Sequence, residues 1–426
     1  MARKYWRGGG FTLRASGGTV ADDGDWDYDN GGGAKSNWIN DAGAAAAKPV
    51  DGTDEAIFSE FASTVPIHYS EATEPHVPGK HFSCCKGMGQ GSGGNDIDLT
   101  GLTFTPGYDP GAGKGLYGWI SKTLDATETD SADAGASTLI YCANHGFAIG
   151  DYVTDAGTIY LNGEFRIKAV DPNVSFTIPL TYIAETPPAS ATAVARRPLR
   201  IGITAGYEII FESNCTAYIE ASHDSLNVEK CVFDSVSGLL HLSSDVVGVH
   251  NWNETRFVNT GTLKIAADTE FTKLIMAADA IGGTALVGTG CLGPAAVSCD
   301  LETEAGSCLW DSKLGDAAIN GGKVVYCQNV GLDTAVNIDL IKMFGDGEIE
   351  WWGKSVLADF DVRGGKLIAK GSGIKSIDSG GAKDFPLRGG TIDLSQAGGP
   401  ISLGGSNNID YQGGVLLPPK RSLVSF

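Results

Sequence analysis

The sequence predicts an all-β chain built around a right-handed parallel β-helix, that is, a solenoid. Glycine makes up 60 of the 426 residues, about twice its usual share, without the Gly-X-Y period of collagen. The surrounding Val, Ile, Thr and Asp residues are typical of short strands joined by tight turns. Glycine pairs recur through the second half, and no long amphipathic helix pattern accompanies them.

The bulk composition excludes several classes of protein. A solenoid can carry a chain of this length without division into many domains. A net charge of -20 repels phosphate backbones, so we expect no direct nucleic-acid binding. No apolar run approaches the roughly 18 residues of a membrane helix, and the N-terminus lacks the apolar core of a signal peptide. We therefore expect no membrane contact and synthesis in the cytoplasm of the producing cell.

Residues 1–137 are predicted to form a Trp/Gly-rich N-terminal cap and the first β-rungs. The end of a solenoid exposes apolar faces, so it needs a cap. Trp6, Trp26 and Trp38 either anchor such a cap or form a docking surface. These three tryptophans are the candidate assembly contacts.

Residues 138–197 are predicted to be a small inserted β-module, a five-stranded barrel or sandwich. Leu161–Asn162–Gly163 carries a hairpin signal, and Phe165 and Ile167 alternate with polar residues as in a half-buried strand. The tail of this segment, TPPASATAVARRP, is interpreted as a linker.

A resemblance emerges from this segment. The pattern HGFxxGDxV, a following NGxFxI hairpin and an FTIP strand resemble a small β-module of tailed-bacteriophage structural proteins. The matching residues are His145, Gly146, Phe147, Gly150, Asp151, Val153, Asn162, Gly163, Phe165, Ile167, Phe176, Thr177, Ile178 and Pro179. The opening YWRGGG with NW and PxxGxDxxxF is similar to the N-terminal edge of phage and bacterial β-solenoid proteins.

The resemblance implies a structural component of a phage particle, such as a capsid decoration, minor capsid, collar or fibre subunit. Its partners would then be other virion proteins of the capsid, collar or tail, and its location the virion, after synthesis in the host cytoplasm.

Residues 198–426 are predicted to form the parallel β-helix. Glycine pairs begin at Gly282, Gly321, Gly364, Gly389 and Gly413. Their intervals fit one or two coils of roughly 20–25 residues each. Several pairs open similar strands: GGKVVYCQ, GGKLIAKG, GGTIDLSQ and GGVLLPP. Repeated β-sandwiches are the main competing fold. Because β-helices of this sort often trimerise, a homotrimer is expected.

One segment suggests chemistry. Glu348 and Glu350 would share one face of a strand, and Asp359 and Asp361 would share another, beside Trp351 and Trp352. Paired carboxylates of this kind can hydrolyse a glycosidic bond. A tailspike-like receptor-binding or polysaccharide-degrading protein is therefore the alternative function.

We nonetheless expect no enzyme, because carboxylates more often decorate a solvated solenoid face. The seven histidines form no HxxxH or HExxH motif, and no G-x-S-x-G elbow occurs. The segment GYDPGAGKG departs from the spacing of a phosphate-binding loop. We therefore expect neither a metal nor a cofactor.

The nine cysteines leave two interpretations open. They form no CxxC and match no common zinc spacing. Most are either small buried residues on strands or partners in disulfides. An odd number cannot all pair within one chain, which suggests bonds between subunits. Cys84 and Cys85 are the intermolecular candidates, because adjacent cysteines rarely bond to each other.

Overall fold

The structure, a computed structural model, describes residues 2–6, 38–42, 45–46, 54–59, 97–108, 115–116, 118–161, 163–203, 207–221, 228–244, 252–289, 291, 298–328, 337–381, 383–404, 407–419 and 424–425. Over these residues the chain is almost entirely β-structure, and its one helical element is a 3-10 turn at Asp133–Gly135. The predicted all-β solenoid is confirmed.

Two long sheets form the solenoid. The first sheet contains β1 Ala2–Trp6, β2 Trp38–Ile39, β3 Ala45–Ala46, β4 Asp54–Phe58, β6 Gly101–Phe104, β17 Glu208–Phe211, β19 Val228–Phe233, β21 Trp252–Phe257, β23 Phe271–Met276, β25 Cys299–Thr303, β27 Leu314–Ile319, β29 Ile338–Met343, β31 Ser355–Leu357, β32 Phe360–Val362, β34 Lys375–Ile377, β35 Asp384–Leu387, β37 Ile401–Leu403, β38 Asn408–Tyr411 and β40 Val424–Ser425. The second contains β5 Ile97–Leu99, β7 Gly115–Leu116, β16 Leu199–Ile203, β18 Thr216–Ala221, β20 Leu239–Ser244, β22 Thr262–Ile265, β24 Thr284–Val287, β26 Ser307–Trp310, β28 Lys323–Tyr326, β30 Glu348–Trp351, β33 Lys366–Ala369, β36 Thr391–Asp393 and β39 Val415–Leu417.

Each coil contributes to both sheets and pairs in parallel with the coils before and after it. β18 pairs with β20 in the second sheet, for example, while β19 pairs with β21 in the first. Antiparallel pairing in the solenoid is limited, within the described residues, to the short strands β2 and β3 at the N-terminal end.

A ladder of phenylalanines fills the first coils. Phe58, Phe104, Phe211, Phe233 and Phe257 occupy the same register position on successive strands, and all are fully buried. The centroids of neighbouring rings lie 4.8, 5.0, 5.6 and 5.1 Å apart. Such ring pairs add about 0.5–1.5 kcal/mol each beyond the area they bury. Side chains point alternately inwards and outwards along each strand. The inward-facing phenylalanines of successive strands therefore form a continuous apolar stack through these coils.

Glycine allows the turns of successive coils to touch. β28, β33, β36 and β39 begin directly after the glycine pairs, as the sequence predicted. Gly322 has a φ of +74°, and a Cβ there would lie 2.7 Å from backbone atoms of Ala305 and Gly306. A side chain at this position would have to displace the preceding coil.

The module forms two four-stranded antiparallel sheets. One contains β9 Asp130–Ala132, β10 Ser137–Tyr141, β13 Ala169–Asp171 and β14 Ser175–Ile178; the other contains β8 Gly118–Thr123, β11 Tyr152–Ala156, β12 Glu164–Arg166 and β15 Thr192–Arg197. Its own apolar core includes Ile140, Val153 and Phe176. The module therefore has eight strands rather than five, and β8 and β9 lie before residue 138.

The linker interpretation of TPPASATAVARRP was wrong over its second half, which forms β15. Ala191, Ala193 and Ala195 are buried alternately along this stretch. β15 pairs with both β8 and β11. Small inward-facing alanines carry a weak strand signal, but they fit where two sheets approach closely.

Trp38 closes the N-terminal end of the core. It is fully buried and meets Phe58 edge-on, with ring centroids 5.7 Å apart. It therefore belongs to the interior rather than to an exposed contact surface, in keeping with the cap interpretation. The backbone of Trp6 pairs in register with Trp38 and Phe58. Trp26 lies outside the described residues.

Candidate functional site

The four carboxylates predicted for a sugar site lie on different sheets. Glu348 and Glu350 are on β30 of the second sheet and share Lys323, with Nζ–Oε distances of 3.3 and 2.5 Å. Asp361 is on β32 of the first sheet, and Asp359 directly precedes that strand. Glu348 and Glu350 thus lie together, whereas Asp359 and Asp361 have separate cationic partners on the other sheet.

Glu350 is the most strongly held of the four. It is 6% exposed and accepts hydrogen bonds from Lys323, Lys370 and the indole N–H of Trp352. Burial alone would raise its pKa, but these three donors outweigh burial and lower the pKa to about 2. A general acid for glycoside cleavage needs a raised pKa instead.

The two aspartates are also paired with cations. The Arg363 guanidinium donates to both carboxylate oxygens of Asp361, at 2.7 to 3.2 Å, and lowers its pKa. Lys383 lies 2.5 Å from Asp359. Both arrangements suit ion pairs on a solenoid surface.

A buried polar junction joins the module to the outer face of the second sheet. The Arg166 guanidinium on β12 contacts Glu220 on β18 at 2.8 Å and donates to the Ser244 carbonyl at 2.9 Å. Glu220 is 3% exposed. The Arg166 side chain is 20% exposed, so the pair is partly buried.

Glu164, on the same strand of the module, makes the second part of the junction. It pairs with Lys264 on β22 and accepts the Tyr218 hydroxyl at 2.5 Å. Burial alone would raise its pKa, but His241, Lys264 and the hydrogen bonds lower it overall. The ring of His241 is uncharged at pH 7. At that pH, Lys264 and the Tyr218 hydroxyl are therefore the groups that stabilise the ionised form of Glu164.

His241 lies at the centre of the junction. Its ring centroid is 4.4 Å from that of Tyr152 in the module and 4.7 Å from that of Tyr218 in the solenoid. Neither ring nitrogen has a hydrogen-bond partner among the described residues. Burial lowers its pKa to about 3, because a proton there would have no water around it.

The sequence did not reveal this junction. Glu164 and Lys264 are 100 residues apart, and neither belongs to a recognisable motif. The signal in the sequence was the alternation of side chains along a strand. In LLHLSS, His241 stands between Leu240 and Leu242, which face the core, so His241 must lie on the outer face of the sheet.

A cleft of about 1010 Å³ runs between the module and the second sheet. Ile149, Arg166 and Pro179 line it on the module side, and Leu286, Leu309 and Asp311 on the solenoid side. Glu164, Arg166, Glu220, His241 and Lys264 of the junction also line this cleft.

The histidine of the sequence motif has a structural role in the module. His145 Nε2 lies 2.9 and 3.0 Å from the carbonyls of Asp171 and Ser175, and Nδ1 accepts the Phe147 N–H. Gly146 and Gly150 have φ angles of +71° and +90°. The motif therefore fixes the turn that leads into β11.

The described cysteines are buried. They are Cys142, Cys215, Cys231, Cys291, Cys299, Cys308 and Cys327. Burial raises the pKa of Cys142 to about 11 and those of Cys291 and Cys327 to about 12. Cys84 and Cys85 lie outside the described residues.

Comparison with known proteins gives no relative. No family model, no curated protein and no solved structure matches the chain. In the described part of the chain, no helix is long and apolar enough to cross a membrane. No group of three or more His, Cys, Asp or Glu side chains is arranged there to hold a metal ion.

Proposed function

We propose that the chain is a non-enzymatic structural subunit of a tailed-bacteriophage particle, in which a rigid solenoid holds a small β-module on its side. The observation that carries this proposal is the junction of Arg166 with Glu220 and of Glu164 with Lys264. Two partly buried ion pairs connect the module to the solenoid, and a module held in this way suits a protein that presents surfaces to neighbours. The sequence resemblance supports the virion as the setting.

The end of the solenoid offers a surface for packing. Tyr411, Val415 and Leu417 on β38 and β39 are 59%, 48% and 41% exposed. Tyr411 occupies the register position that Leu387 fills in the coil before it. Apolar residues exposed on these strands favour contact with another protein, for which a capsid, collar or tail protein is proposed.

The assembly state and cross-links belong to the same proposal. A homotrimer would cover lateral faces of the solenoid. Cys84 and Cys85 would bond neighbouring subunits once the particle leaves a reducing cell. Analytical ultracentrifugation tests the trimer: a stable monomer at micromolar concentration contradicts it.

Receptor binding or polysaccharide degradation remains the second candidate, and the cleft of about 1010 Å³ is the observation that favours it. Incubation with capsular polysaccharide and an assay for new reducing ends separates the two. The ion-paired state of Glu350, Asp359 and Asp361 supports the structural role instead.

Gold-labelled antibody against the folded chain, applied to purified phage particles in the electron microscope, tests the virion proposal. The expected result is regular labelling at one place on the particle. Particles free of label, whose proteins also lack this chain by mass spectrometry, would contradict it.

A further inference from the structure

A second buried polar cluster lies inside the module, away from the junction. Asp155 near the end of β11 is 4% exposed, Thr158 in the following turn 8%, and Glu185 7%. Neither carboxylate oxygen of Asp155 has a hydrogen-bond partner among the described residues, and neither has the Thr158 hydroxyl. Buried polar groups without partners are uncommon, and a bound ion would give these groups a partner.

Hydrogen bonds bring the Glu185 carboxylate to the turn that contains Thr158 and follows Asp155. The Glu185 carboxylate accepts the N–H of Ile159 at 2.6 Å and that of Tyr160 at 2.9 Å, directly after Thr158. Glu185 is fixed in turn, because its own N–H donates to Thr129 Oγ1 and its carbonyl accepts the Thr129 N–H. The cluster is thus built on a rigid part of the module.

The charges of the cluster are unbalanced. Asp155 and Glu185 interact electrostatically as like charges, and no cation contacts the Asp155 carboxylate among the described residues. Two carboxylates buried near the same turn repel each other when both are ionised, and a bound cation would offset that repulsion.

We propose that Asp155, Thr158 and Glu185 form a binding site for one hard divalent cation, Ca²⁺ or Mg²⁺. Carboxylate and hydroxyl oxygens are the ligands these ions take, and the cluster contains no nitrogen or sulfur donor. The ion would tie the end of β11 to the segment around Glu185 and would stabilise the module whether or not the chain belongs to a virion.

Thermal unfolding of the full chain, stripped with EDTA and then measured in millimolar CaCl₂ or MgCl₂ near pH 7.5, tests the site. We expect one of the two ions to raise the Tm by about 3 °C or more. Asp155→Asn should abolish that increase. Glu128→Gln removes an exposed acidic group from the same module and should leave it intact.

Thr158→Ala retains both carboxylates and is the alternative test variant if the Asp155→Asn chain does not fold. It should weaken binding of the preferred ion, measured by titration calorimetry, by about tenfold. An unchanged Tm of the parent chain with either ion would overturn the proposal. So would an Asp155→Asn chain that is more stable than the parent in EDTA and indifferent to both ions, because Asp155 would then simply carry a proton.

Discussion

Phe104 and Phe211 stack in register on neighbouring strands, with ring centroids 5.0 Å apart, although the whole module lies between them in the sequence. The module is therefore an insertion between two consecutive coils, and the apolar core continues past it without a break. The module is positioned on the solenoid by its own contacts, such as that of Arg166 with Glu220.

The contact between coils is tested by a matched pair of glycines. Gly282 and Gly322 both have positive φ, but a Cβ on Gly282 meets nothing within 4 Å, whereas one on Gly322 meets the preceding coil. Gly282→Ala should cost about 1 kcal/mol, from the strained backbone alone. Gly322→Ala should lower the free energy of unfolding, measured in urea, by clearly more than Gly282→Ala does. Equal costs would contradict close stacking at these turns.

The role of Glu350 is tested against its neighbour on the same strand. Glu350→Gln should lower the free energy of unfolding at pH 7 by about 1–3 kcal/mol, because a buried charged hydrogen-bond network is lost. Glu348→Gln, at a more exposed ion pair, should cost less than about 1 kcal/mol.

The pH dependence gives Glu350 a second test. Because the pKa of Glu350 is lowered in the folded chain, ionised Glu350 stabilises the fold fully above pH 4.5. This contribution is lost as the pH falls towards about 2. Unfolding measured between pH 5 and 2 should show a shallower loss in Glu350→Gln than in the parent chain. Identical pH profiles would refute the ion-paired state.

The neutral His241 predicts a separate acid sensitivity. Its folded-state pKa of about 3 lies below the ordinary 6.5, so the unfolded chain binds a proton that the folded chain does not. The contribution of neutral His241 to the free energy of unfolding should therefore be fully present above pH 6.5. Below pH 6.5 the free energy of unfolding should fall, with a slope that approaches about 1.4 kcal/mol per pH unit. His241→Phe retains a ring between Tyr152 and Tyr218 and should remove this slope between pH 6.5 and 5. A variant with the parent's slope would show that another group titrates.

Thiol reactivity tests the two interpretations of the cysteines. The seven described thiols are buried, so a thiol reagent should modify at most Cys84 and Cys85 in the folded chain, and all nine after denaturation. If those two cross-link subunits, non-reducing gels of particles should show multimers. Replacing both with serine should leave only the monomer band. A monomer band from the unaltered particle would rule out the cross-link.

The coils could be predicted from sequence because glycine recurs where turns of successive coils pack closely, as at Gly322. β15 was missed because its inward residues are alanines, which resemble a linker in composition. The junction was missed for a different reason: Glu164 meets Lys264 and His241 only after the insertion folds back onto the second sheet. Long-range pairs of this kind leave no local pattern in a single sequence.

The central claim is that the junction holds the module in one fixed position on the solenoid. Spin labels at Glu128→Cys in the module and Asp279→Cys in the solenoid, both exposed, measure it in a chain whose Cys84 and Cys85 are serine. Double electron–electron resonance should give one narrow distance distribution. Arg166→Met, which removes the contact between Arg166 and Glu220, should broaden it. A broad or two-peaked distribution in the chain with the intact junction would contradict the claim.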